Sequence, residues 1–234
     1  MDKILETYRS EIKYIIPRSL EIPIRKDLNS ILTFDKHSGP DGYTVRSMYF
    51  DSLNNIDYST KSAGTMIRKK IRLRTYGDSQ IVKLELKQKK GNLQHKESLV
   101  INRTDAERLI SGDCSVLTDY FHTGETAKKL YLAMERGVYR PVNIIEYDRL
   151  AFCYPLYDTR ITIDRNIRTR EFNRDFFNRS LVFSPENTEL SVLEVKFNKH
   201  LMNFISQVLS KYNLTEQSYS KYYLGRPVFE DFNY

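Results

Sequence analysis

The sequence predicts an α+β fold: roughly eight antiparallel strands closed into a β-barrel, with flanking helices. Three observations predict it. Period-two alternation recurs from one end of the chain to the other. At least five of the alternating stretches are charged on one face and apolar on the other. Helical periodicity falls between them, supplying elements that can cover the apolar faces. The charged faces then point inward, onto a wide, hydrated interior that is stable when filled by a polyphosphate with metal ions.

The stretch Ile67 to Lys89 shows the pattern best. Arg68, Lys70, Arg72 and Arg74 share one face, opposite Ile67, Ile71 and Leu73. After a turn at Gly77-Asp78-Ser79, Lys83, Glu85 and Lys87 share a face opposite Val82, Leu84 and Leu86, so the pair reads as a hairpin. Like charges directly opposite one another destabilise a sheet, so this face reads as a solvated surface or as the lining of a cavity for a polyanion.

Taken in order, Thr7 to Ile16 is a strand with Arg9, Glu11 and Lys13 on one face and Tyr8, Ile12 and Tyr14 on the other. Arg18 to Leu32 reads as a helix, with Pro23 in its early part. A loop over His37 to Gly42 precedes a strand from Tyr43 to Asp51. Ser52 to Lys61 is a short helix with Ser52 or Asp51 as N-cap. Beyond the hairpin, Gly91-Asn92 turns the chain into a strand over Gln94 to Ile101, with Lys96 and Ser98 on one face.

Thr104 to Ser111 starts with Thr104 and has Glu107 three residues on, the capping-box pattern. Glu125 to Glu135 is a second helix of this region. Val142 to Phe152 and Thr159 to Ile167 are strands, the first with Tyr147, Arg149 and Ala151 on one face, the second with Arg160, Thr162 and Asp164 opposite Ile161 and Ile163. Arg168 to Asn178 reads as a loop and Leu181 to Phe183 as a short strand. Leu190 to Asn198 sets Leu193, Val195 and Phe197 against Glu194, Lys196 and Asn198. Lys199 to Tyr212 is an apolar-striped helix, and the end of the chain is an irregular tail. With no repeat, low-complexity segment or linker, residues 1–234 read as a single domain.

Composition narrows the partners. A net charge of +7 points to an anion: nucleic acid, phosphate polymer, nucleotide or membrane surface. No known nucleic-acid module is present, and acidic residues interleave with the basic ones. Cys114 and Cys153 make no disulfide framework or metal spacing, which implies a reducing compartment. The histidines His37, His95, His122 and His200 form no zinc pattern, and His200 caps a helix start or faces solvent. No apolar run approaches the roughly 20 residues that span a bilayer, so no transmembrane segment is expected, and the N-terminus lacks a signal peptide's apolar core. A cytoplasmic protein is the expectation.

Eight motifs then occur in order: Arg9-Ser-Glu11-Ile-Lys13, Arg46-Ser-Met-Tyr-Phe-Asp51, Lys70-Ile-Arg72-Leu-Arg74, Leu84-Glu85-Leu86-Lys87, Tyr147-Asp-Arg149-Leu-Ala-Phe152, Arg160-Ile-Thr-Ile-Asp164, Leu193-Glu194-Val-Lys196 and Ser220-Lys221-Tyr222. Each is weak alone; the ordered set, over nearly the whole chain, is specific. It resembles the VTC-type polyphosphate polymerase domain of the triphosphate tunnel metalloenzyme superfamily, whose relatives are the CYTH enzymes. The resemblance implies an eight-stranded antiparallel tunnel. Arg72, Arg74, Lys87, Arg149 and Arg160 would act on the transferring phosphate, and Lys13, Lys96, Lys196 and Lys221 would bind substrate phosphates. Glu194 would hold a Mn2+ or Mg2+ ion, with Glu11 and Glu85 as helpers.

The same resemblance implies transfer of the γ-phosphate of ATP to a growing polyphosphate chain, with release of ADP and no side-chain nucleophile. Two other functions stand beside it: a triphosphate or nucleoside-triphosphate hydrolase on the same scaffold, and a non-catalytic polyphosphate or nucleotide sensor. The known eukaryotic complexes add an SPX domain and transmembrane helices, which this sequence lacks. A separately encoded membrane partner, holding the protein at the inner face of a membrane, is therefore a hypothesis.

Overall fold

Each alternating stretch forms a strand, because period two is the only backbone repeat that sends successive side chains to opposite faces. In the computed structural model the described residues are 9–226 apart from 78 and 92. The predicted strand start at Thr7 and Tyr8, the turn residues Asp78 and Asn92, and the tail after Arg226 lie outside them.

In chain order the elements are β1 (Arg9–Pro17), a 3-10 turn (Arg18–Leu20), α1 (Glu21–Ile31), β2 (Thr33–Phe34), β3 (Tyr43–Asp51), α2 (Ile56–Ser62), β4 (Ile67–Tyr76), β5 (Val82–Lys90) and β6 (Leu93–Ile101). Then come α3 (Arg103–Ile110), a 3-10 segment (Cys114–Thr123), α4 (Glu125–Gly137), β7 (Arg140–Tyr154), a 3-10 turn (Leu156–Asp158), β8 (Thr159–Glu171), β9 (Ser184–Pro185), β10 (Leu190–Asn198), α5 (Asn203–Ser210) and α6 (Lys221–Leu224). Eight strands hydrogen-bond in the order β1-β10-β8-β7-β3-β4-β5-β6, with β2 on β7 and β9 on β8. The class is α+β and the registered pairs are antiparallel, as the alternation predicts.

The chain divides into two compact units. The first comprises Met1–Thr44, Tyr147–Ile167 and Pro185–Ser220. Its core is built from the apolar faces of β1, β7, β8 and β10 (Ile16, Leu150, Phe152, Ile161, Ile163, Leu193 and Val195) with Ile24 and Leu28 of α1 and Ile205 and Leu209 of α5. Pro23 lies in the first turn of α1, where the missing N–H has no intrahelical acceptor to lose. Gly42 packs so close to β7 that a Cβ would stand 2.4 Å from the Arg149 carbonyl oxygen, and its φ of +79° favours glycine in any case.

The second unit comprises Val45–Glu146, Arg168–Ser184 and Lys221–Tyr234. Its meander β4-β5-β6, with β3 alongside, turns Met48, Ile71, Leu73, Leu84, Leu86 and Leu99 toward Ala106, Leu109, Ala127, Leu130 and Met134 of α3 and α4. Each buried Leu or Ile contributes roughly 1.5–3 kcal/mol. In both units the face opposite the core is left to the charged residues.

The structure corrects several expectations. β8 continues through Arg168–Glu171, expected as loop, because Ile167 and Thr169 stay buried while Arg168 and Arg170 do not. The short strand is Ser184–Pro185 rather than Leu181 to Phe183. The last long helix begins at Asn203, since Lys199 adopts a left-handed φ of 61°. Thr104 is not a cap: it lies inside α3, and Asn102 caps the helix by accepting from the Asp105 N–H at 2.8 Å. α2 begins at Ile56 rather than Ser52, with Asn55 at the N-cap position in a left-handed conformation; Asp51 and Ser52 serve it from upstream, Asp51 accepting from the Asp57 and Tyr58 N–H groups and Ser52 Oγ from Ile56 N–H.

The cap assignment is testable. Asn102→Ala should lower stability by about 1 kcal/mol in urea denaturation, and Thr104→Ala by much less. Equal losses would overturn it.

Candidate phosphate-binding site

The polar face of the first unit is a grid fixed by register. Glu11 pairs with Lys196, and Lys196 with Arg160; Lys13 pairs with Glu194, and Glu194 with Thr162; Ile15 pairs with Val192, and Val192 with Asp164. Opposite charges therefore meet across β1 and β10 and along each of these strands, while Lys196 and Arg160 are like charges set directly opposite. Lys13 Nζ lies 2.7 Å from Glu11 and 3.6 Å from Glu194, and donates to the Tyr219 carbonyl at 3.2 Å. Lys196 bonds Glu194 and lies 3.5 Å from Glu11. Burial works against the charge on Lys13, but Glu194 and Glu11 outweigh it and raise the ammonium's pKa.

The two arginines here are held differently. Arg149 is buried and grips Asp164 through two hydrogen bonds, 2.7 Å from Nε and 2.8 Å from Nη2. Arg160 donates from Nε to Asp35 and from Nη2 to the Tyr43 hydroxyl, both at 3.0 Å. These fork contacts fix each guanidinium plane.

The second unit carries the denser positive charge. Glu85, fully buried, accepts from Arg72 Nε at 2.6 Å and lies 3.9 Å from Arg74 and 2.5 Å from Lys96. Burial favours its neutral form, but Arg72, Arg74 and Lys96 overcome that and hold its pKa far below the carboxylate range. Arg72 also donates to the Tyr49 hydroxyl at 3.2 Å, and Arg74 to Ser47 Oγ at 3.1 Å. One register step away, Lys70, Lys87 and Lys96 stand directly opposite one another on three adjacent strands. Lys70 also lies over the Tyr222 ring, 5.3 Å from its centroid.

Lys221 opens α6, and the two tyrosines after it anchor that turn. Tyr222 stacks on Tyr49 and donates to Asp51; Tyr223 stacks on Tyr58. Beneath them Asp57 accepts from the Tyr139 hydroxyl at 2.9 Å. Burial and the Asp51 charge push the Asp57 pKa up to about 7.

The family model for the VTC domain matches residues 8–229. The chain belongs to the VTC domain family. No curated protein matches the sequence. Among solved structures, this VTC domain is similar to HpAC1 from Hippeastrum, described as an adenylyl cyclase candidate with a dominant triphosphatase activity. TM-score is 0.58 and identity 12%, over 93% of this chain and 95% of that one. It is also similar to adenylate cyclase candidates from Bacillus halodurans (TM-score 0.51, 13% identity, 90% and 92% covered) and Vibrio parahaemolyticus (0.51, 11%, 93% and 97%). These likenesses show a shared fold.

Of the residues named from sequence, Glu11, Lys13, Arg149, Arg160, Glu194 and Lys196 gather on the first unit's polar face, and Arg72, Arg74, Glu85, Lys87 and Lys96 on the second's. Sequence reasoning gave no role to Asp35, Tyr43, Ser47, Tyr49 or Lys70. Lys70 was visible in the alternation; Asp35 comes from the turn after β2, and nothing in its local sequence announces Arg160 as partner. Among the described residues no group of three or more His, Cys, Asp and Glu could hold a metal ion, and no helix is long and apolar enough to cross a membrane.

Two measurements probe these clusters. Glu85→Gln leaves Arg72 buried without its counter-charge and should lower stability by about 3 kcal/mol or more in urea denaturation; an unchanged midpoint would remove Glu85 as the organising anion. Asp57 holds its proton more tightly folded than unfolded, so it takes stability away as pH rises from the ordinary 3.8 through about 7. Asp57→Asn should flatten the fall in Tm over that window; parallel Tm profiles would contradict the burial argument.

Proposed function

We propose that this VTC domain is a metal-dependent polyphosphate polymerase that transfers the γ-phosphate of ATP to a growing polyphosphate chain. Family and fold support an enzyme acting on triphosphates. The observation that carries the reading is the row Lys70-Lys87-Lys96 beside Arg72 and Arg74. Like charges this close oppose one another, and a polyanion laid across them turns that repulsion into binding. A multiply charged phosphate chain fits better than a single carboxylate.

In this reading an oxygen of the terminal acceptor phosphate attacks the γ-phosphorus, the bond to the β,γ-bridging oxygen breaks, and ADP leaves. Arg72, Arg74, Lys87, Arg149 and Arg160 neutralise the charge spreading over the transferring group, while Lys13, Lys96, Lys196 and Lys221 hold the flanking phosphates. The arginines bring fixed planes, because Glu85, Asp164 and Asp35 already orient them.

Enzymes of this fold class depend on a metal ion, and Glu11 and Glu194 fit that need. They are hard oxygen donors on neighbouring strands, and Mg2+ or Mn2+ ordinarily takes one or two carboxylates and completes its shell with water and phosphate oxygens. Bound there, the ion would supply charge neutralisation at the phosphates. Phosphate binding would let Lys13 and Lys196 exchange carboxylate for phosphate, and Glu11 and Glu194 would then be the residues to hold the ion. Glu85 has its oxygens committed to Arg72, Arg74 and Lys96, so within this proposal it orients cations rather than ligating metal.

A hydrolase is the second reading, favoured by the likeness to HpAC1, described as a triphosphatase; water would replace the acceptor phosphate. The proposal also treats residues 1–234 as one functional domain, since β3, β7 and β8 each contribute residues to both compact units. It places the domain in a reducing, cytoplasmic compartment, consistent with the free thiols of Cys114 and Cys153. A pull-down from native membranes tests for a separately encoded membrane partner.

The deciding experiment incubates purified protein with ATP and Mn2+. Polymer plus ADP supports the polymerase, orthophosphate alone the hydrolase, and binding without turnover a sensor. Arg74→Ala and Lys87→Ala should each lower kcat at least about 100-fold, the scale of losing one transition-state charge contact; wild-type rates in both would overturn the assignment.

A further inference from the structure

On the polar face of the first unit, the charged side chains have counter-charges: Lys13 and Lys196 share Glu11 and Glu194, Arg149 grips Asp164, and Arg160 bonds Asp35. Thr162 differs. Its hydroxyl has no hydrogen-bond partner among the described residues, although the residue is only 2% exposed. It stands on β8 between Arg160 and Asp164, on their face rather than the core face of Ile161 and Ile163, and directly opposite Glu194.

A buried hydroxyl without a partner is destabilising. Valine would fill the same volume, suit a strand equally well and avoid the penalty. The position thus carries a polar atom whose use lies outside the folded chain's own contacts. Its neighbours indicate the ligand's chemistry. Arg160 and Lys196 lie in the adjacent row and Lys13 in the same row beyond Glu194, so an anion is drawn to the spot, and a neutral O–H can donate to it without adding to the crowd of like charges.

We propose that Thr162 Oγ1 is a substrate-binding group of this domain, donating a hydrogen bond to a phosphate oxygen of the bound chain. The inference rests on the polyphosphate reading for the identity of the ligand and on the unpartnered hydroxyl for the residue. It makes Thr162 a neutral specificity element among charged clamps, one that recognises an acceptor oxygen rather than net charge.

Titration calorimetry with inorganic tripolyphosphate and Mn2+, alongside thermal unfolding without ligand, tests it in wild type, Thr162→Val and Thr162→Ser. The valine variant should keep or raise the ligand-free Tm, while its Kd for tripolyphosphate rises about tenfold or more, the worth of a hydrogen bond to a charged acceptor. The serine variant keeps the hydroxyl and should bind within a few-fold of wild type. Unchanged Kd in Thr162→Val would overturn the inference and leave the polymerase reading intact. Equal weakening in both variants would also overturn it, pointing to packing instead of the hydroxyl. Failure of the wild type to bind tripolyphosphate would overturn both.

Discussion

Side chains directly opposed on neighbouring strands have Cβ atoms about 4.5–5.5 Å apart, too close for their charges to be independent. The rest of the molecule depends on how its strands meet that constraint. In the first unit they meet it by alternating sign where β1 meets β10: Glu11 faces Lys196 and Lys13 faces Glu194, so each lysine has two carboxylates near it; where Lys196 faces Arg160, Glu194 and Asp35 offset the like charges. In the second unit like charges face one another at Lys70, Lys87 and Lys96, which fall in one row, with Glu85 beside Lys96 and Lys70 over the Tyr222 ring. Each arrangement follows from a register that the apolar faces dictate, since a one-residue slip would send Ile71, Leu84 and Leu193 out of their cores.

Burying this much charge is sustained by pairing. Removing a guanidinium or carboxylate from water carries a penalty of several kcal/mol, which mutual attraction offsets only with close, well-aligned partners. Arg149 with Asp164 and Arg72 with Glu85 have such geometry, at 2.6–2.8 Å. These pairs are weak evidence for stability but strong evidence for orientation. A guanidinium held by a buried carboxylate keeps one plane toward a ligand, and that preorganisation spares reorganisation when charge develops on a transferring group.

How much of this was legible in the sequence divides along physical lines. Alternation is a local property, so the long strands and the face occupied by Arg72, Arg74, Glu85 and Lys87 could be read directly. Helix ends were read less well, because Asn102 and Thr104 are both good caps and only the backbone's exit from β6 decides between them. Arg168–Glu171 looked like loop because its charges hid the burial of Ile167 and Thr169. Partners were least legible. Asp35 meets Arg160 across 125 residues and Asp57 meets Tyr139 across 82, distances over which no spacing rule operates. The ordered motifs supplied the family where single residues could not.

The division of labour between arginine and lysine carries the physical reading furthest. Arg72, Arg149 and Arg160 are tied by forked or multiple hydrogen bonds to Glu85, Asp164, Asp35 and tyrosine hydroxyls. Lys13 and Lys196 sit on flexible stems between two carboxylates, either of which can release them. A ligand that is a chain of identical phosphates needs both behaviours. Fixed planes define where one phosphorus is held; exchangeable point charges let neighbouring phosphates advance without a deep energetic trap at any register. A face built only of locked arginines would bind such a chain and hold it, and one built only of lysines would attract it without aligning it. The two side-chain types occur side by side on these strands, each with the partner that suits its role.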